Sequence, residues 1–164
     1  MIIFVEGSLF SASPRFSFAQ CISGDVQFGM FRGIALQFLK IFPDLEQLRL
    51  YEVMPWEIDG KYIYHLVTKE KYWHKPVPYN LFVTLKSMKK HASENLVRDI
   101  AVPFLGCGRD KLDFHSVVFP MIKTLFEDSQ INIHIYYPMS HVLRMQRLVI
   151  ILMFCHLLLK NPLV

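Results

Sequence analysis

The order of apolar and polar residues divides the chain into strands and helices that alternate. Ile2 to Val5 is an unbroken apolar run ended by Gly7 and Ser8, the pattern of a buried strand followed by a turn. After a Ser- and Pro-rich loop over 11–17, Phe18 to Ile22 forms a second short apolar run. From Gly33 the period lengthens. Ile34, Phe38, Ile41 and Phe42 fall on one face of a helix that Pro43 stops. Leu48–Met54 and Tyr62–Thr68 read as two strands flanking PWEIDGK, in which Asp59-Gly60 signals a type I′ hairpin. Residues 78–95 are helical again, with Leu81, Leu85 and Met88 on one face and Lys86, Lys89 and Lys90 off it. Ile100–Leu105 reads as a short buried strand running into Gly106-Cys107-Gly108. Val117, Val118, Met121, Ile122, Leu125 and Phe126 make a helical stripe that Pro120 must kink or delay. Ile131, Ile133 and Ile135 alternate with Asn132, His134 and Tyr136, a strand with one polar face.

Strands alternating with helices predict an α/β layer architecture with a mostly parallel sheet and at least one hairpin. The 164 residues suffice for one domain with its own core. In such sheets ligands bind beyond the carboxyl ends of the strands. The loops after Val5, Ile22, Thr68 and Leu105 are therefore the places to look for chemistry.

Composition adds exclusions. An apolar share of 52% against 20% charged residues excludes disorder. Cys21, Cys107 and Cys155 are odd in number and widely spaced, so neither a disulfide framework nor a zinc site is expected. Glu6 interrupts the apolar N-terminus before a signal-peptide core can form, so an intracellular protein of the nucleus or cytoplasm is expected. The net charge of +4 mildly favours anionic partners. Much of that excess comes from Arg144, Arg147 and Lys160, because residues 141–164 hold no acidic side chain. The preceding domain is close to neutral, so phosphate binding there must come from loop geometry and a few placed cations. No aromatic-basic stripe or nucleic-acid module stands out, and no specific nucleic acid is expected as a partner.

Three segments carry candidate chemistry. In Leu105-Gly106-Cys107-Gly108-Arg109-Asp110, two glycines let the backbone approach a ligand and turn its N–H groups towards a phosphate. The helix that follows would add its dipole. A plain tight turn explains the glycines equally well. Lys69, in Thr68-Lys69-Glu70-Lys71 at a strand end, can act as a nucleophile once freed of its proton, against the plainer reading of a solvated basic cluster. Cys21-Ile22-Ser23-Gly24-Asp25 and the Gly29 to Gly33 segment suit ribose or phosphate contacts, or simply a loop. Cys21 and Cys107 read as small buried hydrophobes, and His65 and His74 as structural or surface residues.

GSLF over 7–10, AQCIS over 19–23, GIALQFLKIF over 33–42, DGKYIYHLVTKEKYWHKP over 59–76 and IAVPFLGCGRDKL over 100–112 stand in the order and spacing of a macrodomain. Together, over residues 2–137, they resemble the terminal ADP-ribose protein glycohydrolase branch of that family. The resemblance implies a three-layer α/β/α fold with a mixed, mostly parallel sheet over residues 1–138, followed by a hydrophobic extension over 139–164. It implies an ADP-ribose pocket bounded by Leu9, Ser23, Leu105, Gly106, Cys107, Gly108 and Arg109, with the diphosphate along Leu105 to Asp110 and the loop after Ser23. The reaction implied is hydrolysis of ADP-ribosyl esters of glutamate or aspartate side chains, or of O-acetyl-ADP-ribose. Lys69 falls on the family's nucleophile and Asp110 on its proton-handling aspartate. Neither metal nor cofactor is implied. The expected partners are ADP-ribose and ADP-ribosylated proteins, and the expected state is a monomer.

The chain departs from the family pattern in places. Ser8 stands where an aspartate usually contacts the adenine amino group. The Gly29 to Gly33 loop is two residues longer and brings in Phe31 and Arg32. Phe104 replaces a frequent arginine, and Arg109 a leucine. The main alternative is an ADP-ribose-binding module without turnover. Beyond the domain, Leu148–Leu159 is an apolar run of twelve residues, short of the roughly 17–25 that span a bilayer. It is read as a non-spanning segment, with membrane association the less favoured alternative.

Overall fold

Side-chain alternation along the strands decides which helix each face meets. In the computed structural model, which describes residues 1–25, 33–41 and 51–138, strand β4 (Lys61–Lys69) sends Tyr64 and Leu66 to one face and Ile63 and Val67 to the other. All four are buried, because both faces are covered. Strands β1 (Ile2–Glu6), β2 (Ser17–Ser23), β3 (Val53–Ile58), β5 (Asp99–Val102) and β6 (Asn132–Tyr137) complete a six-stranded sheet of order β1-β6-β5-β2-β4-β3. Every neighbouring pair is parallel except β3 with β4.

On one face, helices α2 (Pro78–Glu94) and α3 (Phe119–Phe126) bury Leu81, Leu85, Met88, Ile122 and Phe126 against Ala19, Leu66, Ile100, Val102, Ile133 and Ile135. Truncating one such leucine to alanine costs roughly 2–5 kcal/mol in a packed core. On the other face, helix α1 (Gly33–Ile41) buries Phe38 among Leu9, Ile22, Ile63, Val67, Ala101 and Tyr136. The three layers are those expected. Among the described residues, no helix is long and apolar enough to cross a membrane.

Asp59 and Gly60 have φ of 50° and 73°, and both left-handed residues make the type I′ turn foreseen from their sequence. Two strand boundaries need correction. The strand read over Leu48–Met54 runs instead from Val53 to Ile58, so Pro55 and Trp56 lie in it and the connection shrinks to Asp59-Gly60. Pro55 is tolerated because β3 is the outermost strand, where a nitrogen without hydrogen can face the open side. Residues 48–50 lie outside the described residues. Strand β5 ends at Val102 rather than Leu105, since Pro103 cannot donate to the ladder and the chain turns, Cys107 N–H donating to Phe104 O at 3.2 Å. Pro120 delays its helix as one reading required. Phe114–Val118 forms a single π-turn, and α3 starts with Pro120 in its first turn, where the missing N–H costs nothing. The extension over 139–164 lies outside the described residues.

Candidate active site

Strands β1, β2, β4, β5 and β6 run the same way, so their carboxyl ends gather at one edge of the sheet. The loops there enclose a cavity of about 880 Å³. Its wall takes Gly7 to Phe10 after β1, Cys21 to Ser23 at the end of β2, Lys69 and Tyr72 from the end of β4 onwards, Pro103 to Asp110 after β5, and Tyr136 and Pro138 around the end of β6. Ile34, Ala35 and Gln37 of α1 close it from above.

Within it, Lys69 Nζ donates to Asp110 Oδ1 at 2.5 Å, a charge-assisted hydrogen bond between side chains only 12% and 13% exposed. Lys69 is the last residue of β4 and is held there by its neighbours. Its carbonyl accepts from Gly24 N–H at 2.8 Å, Thr68 Oγ1 donates to Ile22 O at 3.4 Å, and Asn80 Nδ2 donates to Thr68 O at 3.0 Å. The bulge between Ile22 and Ser23 brings Ser23 opposite Lys69.

Asp110 is aimed by the loop that carries it. Gly106 has φ of 68°, and a Cβ there would come within 2.8 Å of Leu112 Cδ1. Leu112 N–H donates to Gly106 O at 3.0 Å and closes the loop. Lys111, next to Asp110, sits at φ of 56°, a left-handed conformation that a non-glycine residue holds only when its surroundings impose it. The helix expected to follow the glycines is present but begins at a remove, since the described residues hold no helix between Gly106 and Asp113. The chain stays in turns until the π-turn at Phe114, whose start is already capped by Asp113 Oδ1 accepting from Ser116 N–H at 2.7 Å.

Both described cysteines line the cavity without being nucleophiles. Burial drives the Cys21 thiol above the ordinary thiol range, with the Asp110 charge adding to the effect. Burial likewise pushes Cys107 up to about 12, with Asp113 and Asp110 contributing. They remain thiols at neutral pH. His65 lies outside the cavity, fully buried on β4, with Nδ1 2.9 Å from Gln20 Nε2, and burial lowers its pKa to about 4. His74 is exposed. Among the described residues no group of three or more His, Cys, Asp or Glu side chains could hold a metal ion.

Lys69, Asp110, Leu9, Ser23, Leu105, Gly106, Cys107, Gly108 and Arg109 thus all border one cavity. Ser8 does too, its Oγ accepting from Phe10 N–H at 3.3 Å to cap the short 3-10 turn Leu9–Ser11. The Phe31 and Arg32 insertion lies outside the described residues. Sequence reasoning missed Gln37, Tyr72 and Tyr136. Tyr136 was within reach of the carboxyl-end rule, had that rule been carried to the last strand. Phe104, noted only as a departure, stacks on Phe114 with ring centres 4.1 Å apart and presents an aromatic wall to the cavity.

A five-stranded parallel sheet extended by one hairpin strand, with a cavity at its carboxyl edge, is the fold of known macrodomains. The chain superposes on the macrodomain of Thermus aquaticus DarG with a TM-score of 0.71 at 25% identity, covering 84% of this chain and 99% of that one. On Thermosipho africanus DarTG in complex with ADP-ribose the TM-score is 0.68 at 18% identity, covering 84% of this chain and 42% of that one. No family model matches the chain. In sequence it is 39% identical over 140 residues to ADP-ribose glycohydrolase OARD1 of Homo sapiens, covering 82% of this chain and 90% of that protein. The chain belongs to the macrodomain family, in the branch of these ADP-ribose glycohydrolases.

Proposed function

We propose that this protein hydrolyses ADP-ribosyl esters, releasing ADP-ribose from glutamate or aspartate side chains of proteins and from O-acetyl-ADP-ribose. The observation that carries this reading is the Lys69–Asp110 pair, held at 2.5 Å in the wall of the cavity. The cavity volume, about 880 Å³, falls within the roughly 300–1,000 Å³ of small-molecule sites. The curated relative is named an ADP-ribose glycohydrolase, and a structural neighbour holds ADP-ribose.

In the proposed reaction the diphosphate lies along Leu105 to Asp110, residues that border the cavity. Lys69 passes a proton to the Asp110 carboxylate, and its free amine attacks the anomeric carbon of the distal ribose. In an ester of a glutamate or aspartate side chain the bond from that carbon to the ester oxygen breaks, and the carboxylate departs with its protein. Water then adds to the anomeric carbon and the carbon–nitrogen bond breaks, with Asp110 handling the proton. Free ADP-ribose leaves, and Lys69 is restored. O-acetyl-ADP-ribose carries its acyl group on a ribose hydroxyl, so there water adds to the acyl carbon, the bond from it to the ribose oxygen breaks, and acetate leaves, with Asp110 handling the proton. A closed ion pair is the resting state of such a couple, and substrate must open it for the amine to act.

The test is release of ADP-ribose from a protein mono-ADP-ribosylated on glutamate. Wild type is expected to turn over, and Lys69→Ala and Asp110→Ala to lose at least about a hundredfold in rate, the scale of a lost nucleophile or acid–base group. Wild type matching both variants would defeat the enzymatic reading. Tight ADP-ribose binding without turnover would favour a binding module.

A further inference from the structure

Large apolar side chains stay exposed around the carboxyl end of β4. Trp73 is 63% and Tyr79 65% exposed, with Tyr51, Tyr72 and Val77 also on the surface. They are grouped. The rings of Tyr72 and Trp73 meet edge to face at 4.8 Å, and those of Tyr51 and Tyr79 at 6.4 Å. Asn80, directly after Tyr79, donates to Thr68 O at 3.0 Å, so the segment from Glu70 to Tyr79 leaves Lys69 and returns beside it. Tyr72 belongs both to this cluster and to the cavity wall. Burial among the described residues does not account for these rings, and exposed aromatics mark surfaces that bind other molecules.

The chemistry of the site says which molecule comes here. If ADP-ribose fills the cavity and its ester bond breaks at Lys69, the acyl group and everything attached to it must leave the cavity beside Lys69, where Tyr72 of this segment lines the wall. We infer that the aromatic surface of Tyr51, Tyr72, Trp73, Val77 and Tyr79 docks the polypeptide that carries the ADP-ribosyl ester. This inference rests on the ester-hydrolase reading of the site. A nucleic acid is the poorer occupant. Phosphates call for a run of cations, whereas this rim mixes Lys71 and Lys75 with Glu52 and Glu70. Aromatic rings amid mixed charge suit a polypeptide, for which Trp and Tyr are the commonest anchors.

The double variant Trp73→Ala/Tyr79→Ser in the full chain tests the inference, since neither residue lines the cavity. For a protein mono-ADP-ribosylated on glutamate, KM is expected to rise about tenfold or more, the effect of removing anchor side chains, with kcat nearly unchanged. Hydrolysis of O-acetyl-ADP-ribose and the Kd for free ADP-ribose should stay within about twofold. An unchanged KM for the modified protein overturns the inference. So does an equal loss on O-acetyl-ADP-ribose, which would make the rings structural. If wild type binds both ligands but hydrolyses neither, the hydrolase reading falls, and the ratio of Kd values for the modified protein decides the docking surface by the same criterion. Weakened binding of an ADP-ribosylated single-stranded oligonucleotide, with the protein substrate unaffected, overturns the polypeptide as occupant.

Discussion

Acidification acts on the buried imidazole of His65. It is fully enclosed on β4, its Nδ1 accepts from Gln20 Nε2 at 2.9 Å, and its Nε2 has no hydrogen-bond partner among the described residues. The Phe38 ring stands edge to face against it at 6.1 Å. Protonation would place a charge in that apolar surround and set a new N–H against the Gln20 amide donor. Burial accordingly lowers the pKa from 6.5 to about 4. The unfolded chain therefore binds the proton first, and stability falls as pH drops through the interval from about 6.5 to about 4. Each pKa unit is worth about 1.4 kcal/mol, so the full penalty is about 3 kcal/mol, a sizeable part of the roughly 5–15 kcal/mol of a folded domain. Urea unfolding of wild type and His65→Gln, followed from about pH 7.5 to about pH 4, isolates this group, because the other titrations are common to both chains and cancel in the difference. The stability difference should move by about 3 kcal/mol in favour of the variant as pH falls. Parallel profiles, with a difference constant to about 0.5 kcal/mol, would refute the reasoning.

Other perturbations address the cavity wall. Gly106→Ala forces a left-handed alanine at φ of 68° and a Cβ against Leu112, so it should lose about 1–2 kcal/mol in urea unfolding and weaken ADP-ribose binding. An unchanged midpoint would contradict the role given to this turn. With its thiol pushed up to about 12, Cys107 should be alkylated by iodoacetamide near pH 8 on the order of a hundredfold or more slowly than free cysteine, as read by peptide mass spectrometry. Alkylation at the free-thiol rate would count against its burial. Ser8→Asp restores the charged acceptor found in the resembled family and should tighten ADP-ribose binding about tenfold by calorimetry. Unchanged or weaker binding would show that Ser8 does not face the adenine.

Much of the fold was legible because burial imposes a period. Ile63 and Val67 against Tyr64 and Leu66, and Leu81, Leu85 and Met88 on α2, sort themselves onto faces without reference to any partner. The Asp59-Gly60 turn was legible for a local reason too, since few other pairs accept positive φ twice. The misread boundaries fell where sheet position decides. Pro55 argues against a strand unless β3 is known to be outermost, and Ile100–Leu105 looks uniformly apolar although Phe104 and Leu105 face a cavity and a turn. The glycines after β5 do lie in the cavity wall, but the helix that follows them starts only at Phe114, because glycine spacing does not specify where the next element begins. The Lys69–Asp110 contact joins residues 41 positions apart, and nothing in periodicity reports such a distance. It entered through the resemblance alone, and the ion pair gives it a physical basis.

The measurement that bears most closely on Lys69 as nucleophile is peptide-level mass spectrometry of protein trapped with cyanoborohydride during turnover of a glutamate-mono-ADP-ribosylated substrate. An ADP-ribosyl adduct on the Lys69 peptide, lost in Lys69→Ala together with turnover, is the predicted result. Full turnover by Lys69→Ala with no adduct at that position would contradict it.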